Sequence, residues 1–256
     1  MGLLKQLDGA VLRLTIDRPA VRNALNEEVI RELTAELSAI DHQSPVRAIV
    51  LTGSGDKAFC AGADLSASQN TFGPAHARPT TLYADLLRAG YRLPVPIIAR
   101  VNGYCLAGGM GLLGFCDMAV AAATASFGLP ESKVGLFPMQ AGVLLQHILP
   151  PRRFAEMCIT GDSISAAEAL ACGLVNYVAE PGELDTKLDW LLSRVLARSP
   201  TAIRRGKHAL RAIAGMTFEE AIAHMEAQVS ILALTEDAQE GLAAFREKRS
   251  PVWTGR

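Results

Sequence analysis

The residues best able to do chemistry lie in three glycine-rich segments, at 59–65, 102–114 and 127–138. The first reads FCAGADL, where a run of small side chains lets a ligand atom approach the backbone N–H groups closely. In the second, a helix predicted to begin near Gly108 directs free N–H groups and a positive dipole end at whatever precedes it. In the third, Glu131 is an acid in an otherwise small and apolar loop. The first and third segments also have plainer interpretations: a tight turn before a helix for the first, and a capping or solvated side chain for Glu131.

The second segment also contains a literal GxGxxG, formed by Gly109, Gly111 and Gly114. A dinucleotide site needs these glycines directly after a strand, with an acid that closes the second strand of the unit. Here residues 102–108 intervene, and Glu131, which has the right separation, lies beyond a turn. The pattern therefore does not predict a Rossmann-type site.

Charge and cysteine usage exclude other classes. Lys and Arg total 25 against 26 Asp and Glu, a net charge of −1, so the basic surplus expected of a nucleic-acid-binding protein is missing. The five cysteines form no CxxC pair, and the five histidines form no HxxxH or HExxH pattern. Neither a zinc site nor a disulfide framework is expected, and the odd number of cysteines suits a reducing compartment.

No apolar run reaches the roughly 18 to 20 residues that a membrane span needs. Residues 1–8 become charged too early for a signal peptide. Half of the residues are hydrophobic and a fifth are charged, which excludes a disordered chain. We expect a soluble, cytoplasmic globular protein with no membrane partner.

The elements that must position the three segments alternate between strands and helices. Strand patterns occupy 11–16, 46–52, 96–101 and 118–123, and helix patterns occupy 27–40, 80–93 and 108–115. This alternation indicates βα units and a mainly parallel sheet. After a helix at 184–198, only helical patterns follow, at 202–214, 218–234 and 236–248. The shift predicts a core at 1–197 and a helical C-terminal region at 198–256.

In this order and spacing, the three segments resemble the crotonase superfamily of acyl-CoA enzymes, the enoyl-CoA hydratases and isomerases. The resemblance runs essentially end to end. It includes DRP at 17–19, RNAL at 22–25, CD at 116–117, TG at 160–161, residues 166–175 and EGLAAFREKRSP at 240–251. It implies an α/β fold, a spiral of repeated ββα turns, whose helical C-terminal region packs a homotrimer or a dimer of trimers.

The resemblance also implies roles for residues in the glycine-rich segments. The backbone N–H groups of Ala61 and Gly108 match the oxyanion hole that holds the thioester carbonyl oxygen. Glu131 matches a carboxylate that moves protons beside the acyl chain, and an apolar pocket would raise its pKa.

For the CoA portion, the resemblance implies a crevice beside the first helix and a contribution from the C-terminal end. The matching positions are Arg22, Ala24, Ala61, Asp64, Leu65, Phe245 and Lys248. CoA enters as part of the substrate, so no metal and no bound redox cofactor is implied.

One departure from the pattern matters. Hydratases of this superfamily carry a second glutamate three positions after the oxyanion glycine, where this chain has Gly111. A single acid suits the movement of a double bond, and hydration becomes harder without being excluded. Asp64 and Asp85 are the nearest substitutes, although each has a plainer interpretation, and Asp117 is expected to be a structural acid. On this basis Gly111→Glu is predicted to raise hydration relative to isomerisation.

The alternatives left open are hydrolysis or decarboxylation of an acyl-CoA on the same oxyanion hole, and a non-catalytic acyl-CoA-binding homologue.

Overall fold

Two β-sheets carry the fold in the computed structural model, which describes residues 2–64 and 79–256. The larger sheet has the order β1-β2-β3-β5-β7-β10 and the smaller one β4-β6-β8-β9. The large-sheet strands are β1 (Leu3–Asp8), β2 (Val11–Ile16), β3 (Ala48–Gly53), β5 (Ile97–Val101), β7 (Met118–Ala122) and β10 (Tyr177–Ala179). The small-sheet strands are β4 (Ala58–Cys60), β6 (Tyr104–Leu106), β8 (Ser126–Gly128) and β9 (Ser163–Ser165). Only the outer pairs β1–β2 and β8–β9 are antiparallel among the described strands.

Helices follow the strands in a repeating order. The helices are α1 (Glu27–Ser38), α2 (Leu82–Arg92), α3 (Gly108–Phe115), α4 (Met139–Leu145), α5 (Pro151–Thr160), α6 (Ala166–Ala171), α7 (Leu184–Leu196), α8 (Pro200–Ala212), α9 (Phe218–Leu232) and α10 (Glu236–Glu247). Short 3-10 helices cover Pro19–Val21 and Pro130–Val134. One strand in each sheet and then a helix make one turn: β3-β4-α2, β5-β6-α3 and β7-β8-α4. The predicted α/β spiral of ββα turns is confirmed.

The central strands of the large sheet are buried on both faces. All six residues of β3 are buried, and because side chains alternate along a strand they enter two different apolar clusters. Ile49 and Leu51 join the cluster that contains α1, α2 and α3 residues, whereas Ala48 and Val50 join a second cluster with α7 residues. The sheet is therefore a middle layer, as a parallel sheet requires.

The sequence signals for α1 are confirmed. Asn26 accepts a hydrogen bond from the backbone N–H of Val29 at 3.0 Å and caps the helix. The buried residues recur at helical spacing, from Val29 and Ile30 through Leu33 to Leu37. The capping box at Ser165 and Glu168 also forms, at the start of α6. β1, the three-residue strands, α4 and α5 went unpredicted.

After residue 198 the described chain contains the helices α8, α9 and α10 and no strand, and two cations of α8 contact the residues just before β5 and β7. Lys207 Nζ donates to the carbonyl oxygen of Val95 at 2.6 Å and to Asp117. Arg211 donates to the carbonyl oxygen of Leu93 at 2.8 Å. Throughout the described ranges, no helix is both long and apolar enough to cross a membrane.

Candidate active site

Three loops meet at the carboxyl ends of the small-sheet strands. β4, β6 and β8 run parallel to one another, with Leu106 opposite Gly128, so the segments that leave them emerge at the same edge. The N–H of Ala107 donates to the carbonyl oxygen of Gly128 at 2.9 Å and joins two of these segments directly. The loop at 61–64, the start of α3 and the 3-10 helix Pro130–Val134 are thus neighbours.

Gly108 is the first residue of α3, and its N–H lies in the first turn, where intrahelical acceptors are missing. The residue before it, Ala107, has a φ of 49° that turns the chain sharply into the helix. Gly62 packs against this turn: a Cβ on Gly62 would lie 2.7 Å from the Ala107 Cβ and 3.3 Å from the Gly108 nitrogen. With a φ of 97°, Gly62 can hardly be replaced. The small residues of the first segment therefore permit the close approach that the sequence predicted.

Ala61 differs from Gly108 in one respect. Its N–H donates to the carbonyl oxygen of Arg22 at 3.1 Å. The same loop is held further along by Leu25 N–H to the Gly62 oxygen, at 2.7 Å, and by Asp64 N–H to the Leu25 oxygen, at 2.9 Å. A substrate oxygen would have to share or replace the Ala61 bond, whereas the Gly108 N–H requires no such exchange.

Glu131 lies in the 3-10 helix Pro130–Val134 and is partly buried. Its Oε2 is fully buried and has no hydrogen-bond partner in the described part of the chain. Burial raises the pKa of this carboxyl above its ordinary value. The nearby Cys158 thiol, whose pKa burial and Glu131 together raise to about 11, is neutral and offers the carboxylate no charge. Glu131 thus has the environment of a general base.

The space that a second glutamate at position 111 would occupy is filled by a side chain from another helix. A Cβ on Gly111 would lie 2.0 Å from the hydroxyl oxygen of Tyr83, which is a residue of α2. That hydroxyl donates a hydrogen bond of 2.6 Å to the carbonyl oxygen of Gly108. Tyr83 is 2% exposed, and burial raises its pKa well above the ordinary value. The phenol is therefore neutral.

Sequence reasoning missed Tyr83, and the structure changes the expectation for Gly111→Glu. The single substitution would drive the new side chain into the phenol, so it is expected to disrupt the site. The available signal was a tyrosine in the buried stripe of α2, with Leu86, Leu87 and Gly90. A buried tyrosine hydroxyl usually has a hydrogen-bond partner, which makes such a residue worth tracing.

Comparisons with known proteins agree with this geometry. The family model for enoyl-CoA hydratase/isomerase matches residues 6–256. The chain belongs to that family. It is 38% identical to a carnitinyl-CoA dehydratase of Escherichia coli strain K12 over 255 residues, 97% of each protein. Among solved structures, an enoyl-CoA hydratase of Mycobacterium smegmatis is 36% identical, with a TM-score of 0.91 over 99% of both chains. An enoyl-CoA hydratase of Bacillus anthracis is 30% identical, with a TM-score of 0.91 over the whole of both chains.

The resemblance to the crotonase superfamily is thereby confirmed, and relatives of this enoyl-CoA hydratase/isomerase family member are named as enzymes. Two of its candidate CoA-binding residues lie beside the loop at 61–64. Arg22 is exposed, and its guanidinium carbon lies 5.6 Å from the centre of the Tyr104 ring. Ala24 is buried, and its carbonyl oxygen accepts a 2.6 Å hydrogen bond from Arg18.

Asp64 is held by the same arginine. Its carboxylate forms a 2.8 Å ion pair with Arg18, and its side chain is 7% exposed. This contact supports the plainer interpretation, in which Asp64 fixes its own loop. Leu65, the remaining predicted residue of this loop, lies outside the described residues.

Phe245 and Lys248 lie at the end of α10, which packs on α8. Phe245 is 84% exposed, and Lys248 ends the helix with a φ of 54°. No hydrogen bond or ion pair within the described ranges links either residue to the loop at 61–64.

The remaining acids behave as ordinary structural or surface groups. Asp85 accepts from Thr80 at 3.2 Å and from Arg88 at 2.8 Å. Asp117 accepts from the N–H of Ile97 at 2.8 Å and from Lys207. Among the residues that the structure describes, no group of three or more histidine, cysteine and acidic side chains is arranged to hold a metal ion.

Proposed function

We propose that this family member binds an acyl-CoA thioester, stabilises its enolate at the Gly108 N–H, and moves a proton with Glu131. The observation that supports this most is the buried Oε2 of Glu131, which has no hydrogen-bond partner among the described residues and lies on a loop adjacent to the start of α3. Buried polar groups are normally hydrogen-bonded, so an unpaired carboxyl oxygen is costly to stability, and a role in catalysis explains why it is kept.

The thioester oxygen accepts from the Gly108 N–H at the positive end of α3. As the enolate forms, negative charge grows on that oxygen, and one such donor is worth about 3 kcal/mol in the transition state. Ala61 supplies a second donor if its bond to Arg22 lengthens or is shared.

Glu131 accepts the proton that leaves carbon as the enolate forms. For a 3-enoyl-CoA, removal of a C-2 proton gives a dienolate, and protonation of C-4 by the same carboxyl group, which can exchange its proton with solvent, gives the 2-enoyl-CoA. One carboxyl group performs both transfers, and no oxidant, reductant or second acid is consumed. Double-bond isomerisation is therefore the reaction that a single-carboxylate site supports best.

Water elimination or addition is the second candidate, because a relative 38% identical over 97% of this chain is named a carnitinyl-CoA dehydratase. Elimination also begins with transfer of a C-2 proton to Glu131, and the C-3 hydroxyl group then takes that proton and leaves as water, so the roles of Gly108 and Glu131 are the same. The difference lies in how the oxygen at C-3 is held.

We also infer that the protein assembles as a homotrimer or a dimer of trimers, with Arg22, Ala24, Asp64 and Leu65 toward CoA and with Phe245 and Lys248 of a neighbouring subunit completing the site. Large apolar side chains on α9, on α10 and in the turn between them support this inference, since Phe218, Leu234 and Phe245 are 76%, 77% and 84% exposed. Apolar patches of this kind mark interaction surfaces.

An acyl-CoA panel tests the proposal. The purified protein is incubated with straight and branched 2-enoyl-CoA, followed by loss of the thioester enone absorbance, and with 3-enoyl-CoA, followed by its gain. We expect conversion of 3-enoyl-CoA to exceed hydration of the straight 2-enoyl-CoA. Release of free CoA would indicate a hydrolase, and tight binding with no turnover of any thioester would indicate a non-catalytic homologue.

A further inference from the structure

We propose that Tyr83 is a positioning residue for the oxyanion donor and that it excludes a carboxylate from position 111. This inference rests on the proposed function of the Gly108 N–H. It assigns the site a neutral hydrogen-bonding group in the space that a second acid would enter.

The direction of the Tyr83 hydrogen bond is fixed by chemistry. A carbonyl oxygen has no proton to give, so the phenol donates to the Gly108 oxygen across 2.6 Å. This bond restrains the peptide that follows Gly108, at the first residue of α3. Toward any further group, the phenol oxygen can act only as an acceptor.

Gly108 needs such a restraint because glycine has the greatest backbone freedom. A Cβ at this position would meet the Leu25 side chain and the Tyr83 ring at 3.6 Å, which is ordinary contact distance. Packing alone therefore leaves room around Gly108. The hydrogen bond from Tyr83 limits the rotation that would turn the Gly108 N–H away from a thioester oxygen.

The same phenol controls position 111. Residues three apart lie on one face of a helix, so Gly108 and Gly111 both face Tyr83. A Cβ on Gly111 would lie 2.0 Å from the phenol oxygen and 3.1 Å from the Tyr83 Cζ. Any side chain at 111 must displace the hydroxyl from Gly108, so Tyr83 in this position and an acid at 111 exclude each other.

Titration behaviour supports this arrangement. Burial raises the pKa of Tyr83 well above its ordinary value, so the hydroxyl remains a donor. Unlike a second glutamate, it adds no ionisation in the acidic range. The acid limb of the activity profile should then report Glu131 alone.

The first experiment compares Tyr83→Phe with Tyr91→Phe, the same chemical change on the same helix. Tyr91 is 40% exposed and lies over Arg211. The probe is a cinnamoyl-CoA thioester, whose absorption shifts to longer wavelength when its carbonyl is polarised. In Tyr83→Phe we expect a smaller shift, a dissociation constant within about 2-fold of wild type, and kcat lowered roughly 10-fold, the equivalent of one hydrogen bond. Tyr91→Phe should match wild type in all three.

The second experiment combines Tyr83→Phe with Gly111→Ala. In wild type, the new Cβ pushes the phenol off Gly108, so Gly111→Ala should lower kcat and the spectral shift much as Tyr83→Phe does. In the Tyr83→Phe background it should lower neither further, because the hydroxyl is already gone. Non-additivity of this kind indicates coupling between contacting residues. Thermal unfolding of each variant verifies that it is folded.

A Tyr83→Phe variant with the wild-type spectral shift and kcat would overturn the inference, as would additive losses in the double variant. A wild-type protein that neither shifts the probe nor turns over any enoyl-CoA would overturn the proposed function as well. The two failures are therefore distinguishable.

Discussion

Two regions of the molecule differ in how their polar groups are paired. One is the junction, where α8 meets the large sheet at Asp117, and the other is the loop that carries Glu131. At the junction, the Asp117 side chain is 28% exposed and accepts from the Ile97 N–H at 2.8 Å, with Lys207 and Arg211 beside it. At the site, Glu131 Oε2 is buried without a partner in the described residues, and the Gly108 N–H lies in a first helical turn.

This difference distinguishes an acid that holds elements together from an acid that is available for proton transfer. Asp117 directly precedes β7, and its carboxylate accepts from the Ile97 N–H of β5 and from Lys207 of α8. Burial raises the pKa of Glu131, so this carboxyl binds and releases protons more readily near neutral pH. Groups left unsatisfied at the site are those that a substrate can use.

The largest expected effect comes from removing the oxyanion donor at the site. Gly108→Pro deletes the N–H and should lower turnover by roughly 10² to 10³-fold, the usual loss for one oxyanion donor. Gly108→Ala is the matched control, since its Cβ would meet its nearest neighbours at 3.6 Å and the N–H is kept. Steady-state kinetics with the preferred enoyl-CoA measures both variants. Equal activities would show that the donor lies elsewhere.

Breaking the junction should affect stability instead of chemistry. Asp117→Asn leaves the Lys207 ammonium, whose pKa burial already lowers to about 8, without its counterion. Removing one partner of a buried pair costs about 3–5 kcal/mol, and partial exposure reduces this to about 1–3 kcal/mol. Urea unfolding measures the loss at pH 6.

Asp85→Asn provides the comparison for that loss, because Asp85 pairs with Arg88 on an exposed helix face. It should cost no more than about 0.5 kcal/mol.

The turnover of folded Asp117→Asn should stay near wild type, and a hundredfold loss in kcat would contradict the structural role of Asp117.

The smallest effect is a pH dependence of stability at Glu131. Its folded-state pKa is raised, so the stability that the protonated form contributes is lost as pH rises through that pKa. The unfolding free energy of wild type relative to Glu131→Gln should therefore fall between pH 4 and pH 7. Glu168→Gln should show the opposite sign, because hydrogen bonds from Ser165 lower the pKa of Glu168. If the unfolding free energy of wild type relative to Glu131→Gln and relative to Glu168→Gln changed in the same direction with pH, these assignments would be contradicted.

The sequence predicted the elements whose signals are local. The cap at Asn26, the buried stripe of α1 and the start of α3 at Gly108 all depend on residues within a few positions. The three-residue strands β4, β6 and β8 are too short for periodicity to identify. They gain their place by pairing with one another.

The candidate site divides in the same way. The loops that carry Ala61, Gly108 and Glu131 are recognisable motifs, and the structure brings them to one edge of the small sheet. The Tyr83 contact joins α2 to α3 across 25 positions of sequence. No local pattern encodes that distance, so the filled space at Gly111 could not be predicted.

Deuterium exchange tests the central claim, that Glu131 moves the proton of an acyl-CoA enolate, most directly. 3-Butenoyl-CoA is incubated in deuterated buffer and followed by proton NMR, with wild type compared with Glu131→Gln. We expect wild type to introduce deuterium at C-2 and C-4, and Glu131→Gln to lower the rate by roughly 10² or more while CoA affinity stays nearly unchanged. Exchange at the wild-type rate in Glu131→Gln would contradict the proposed role of Glu131.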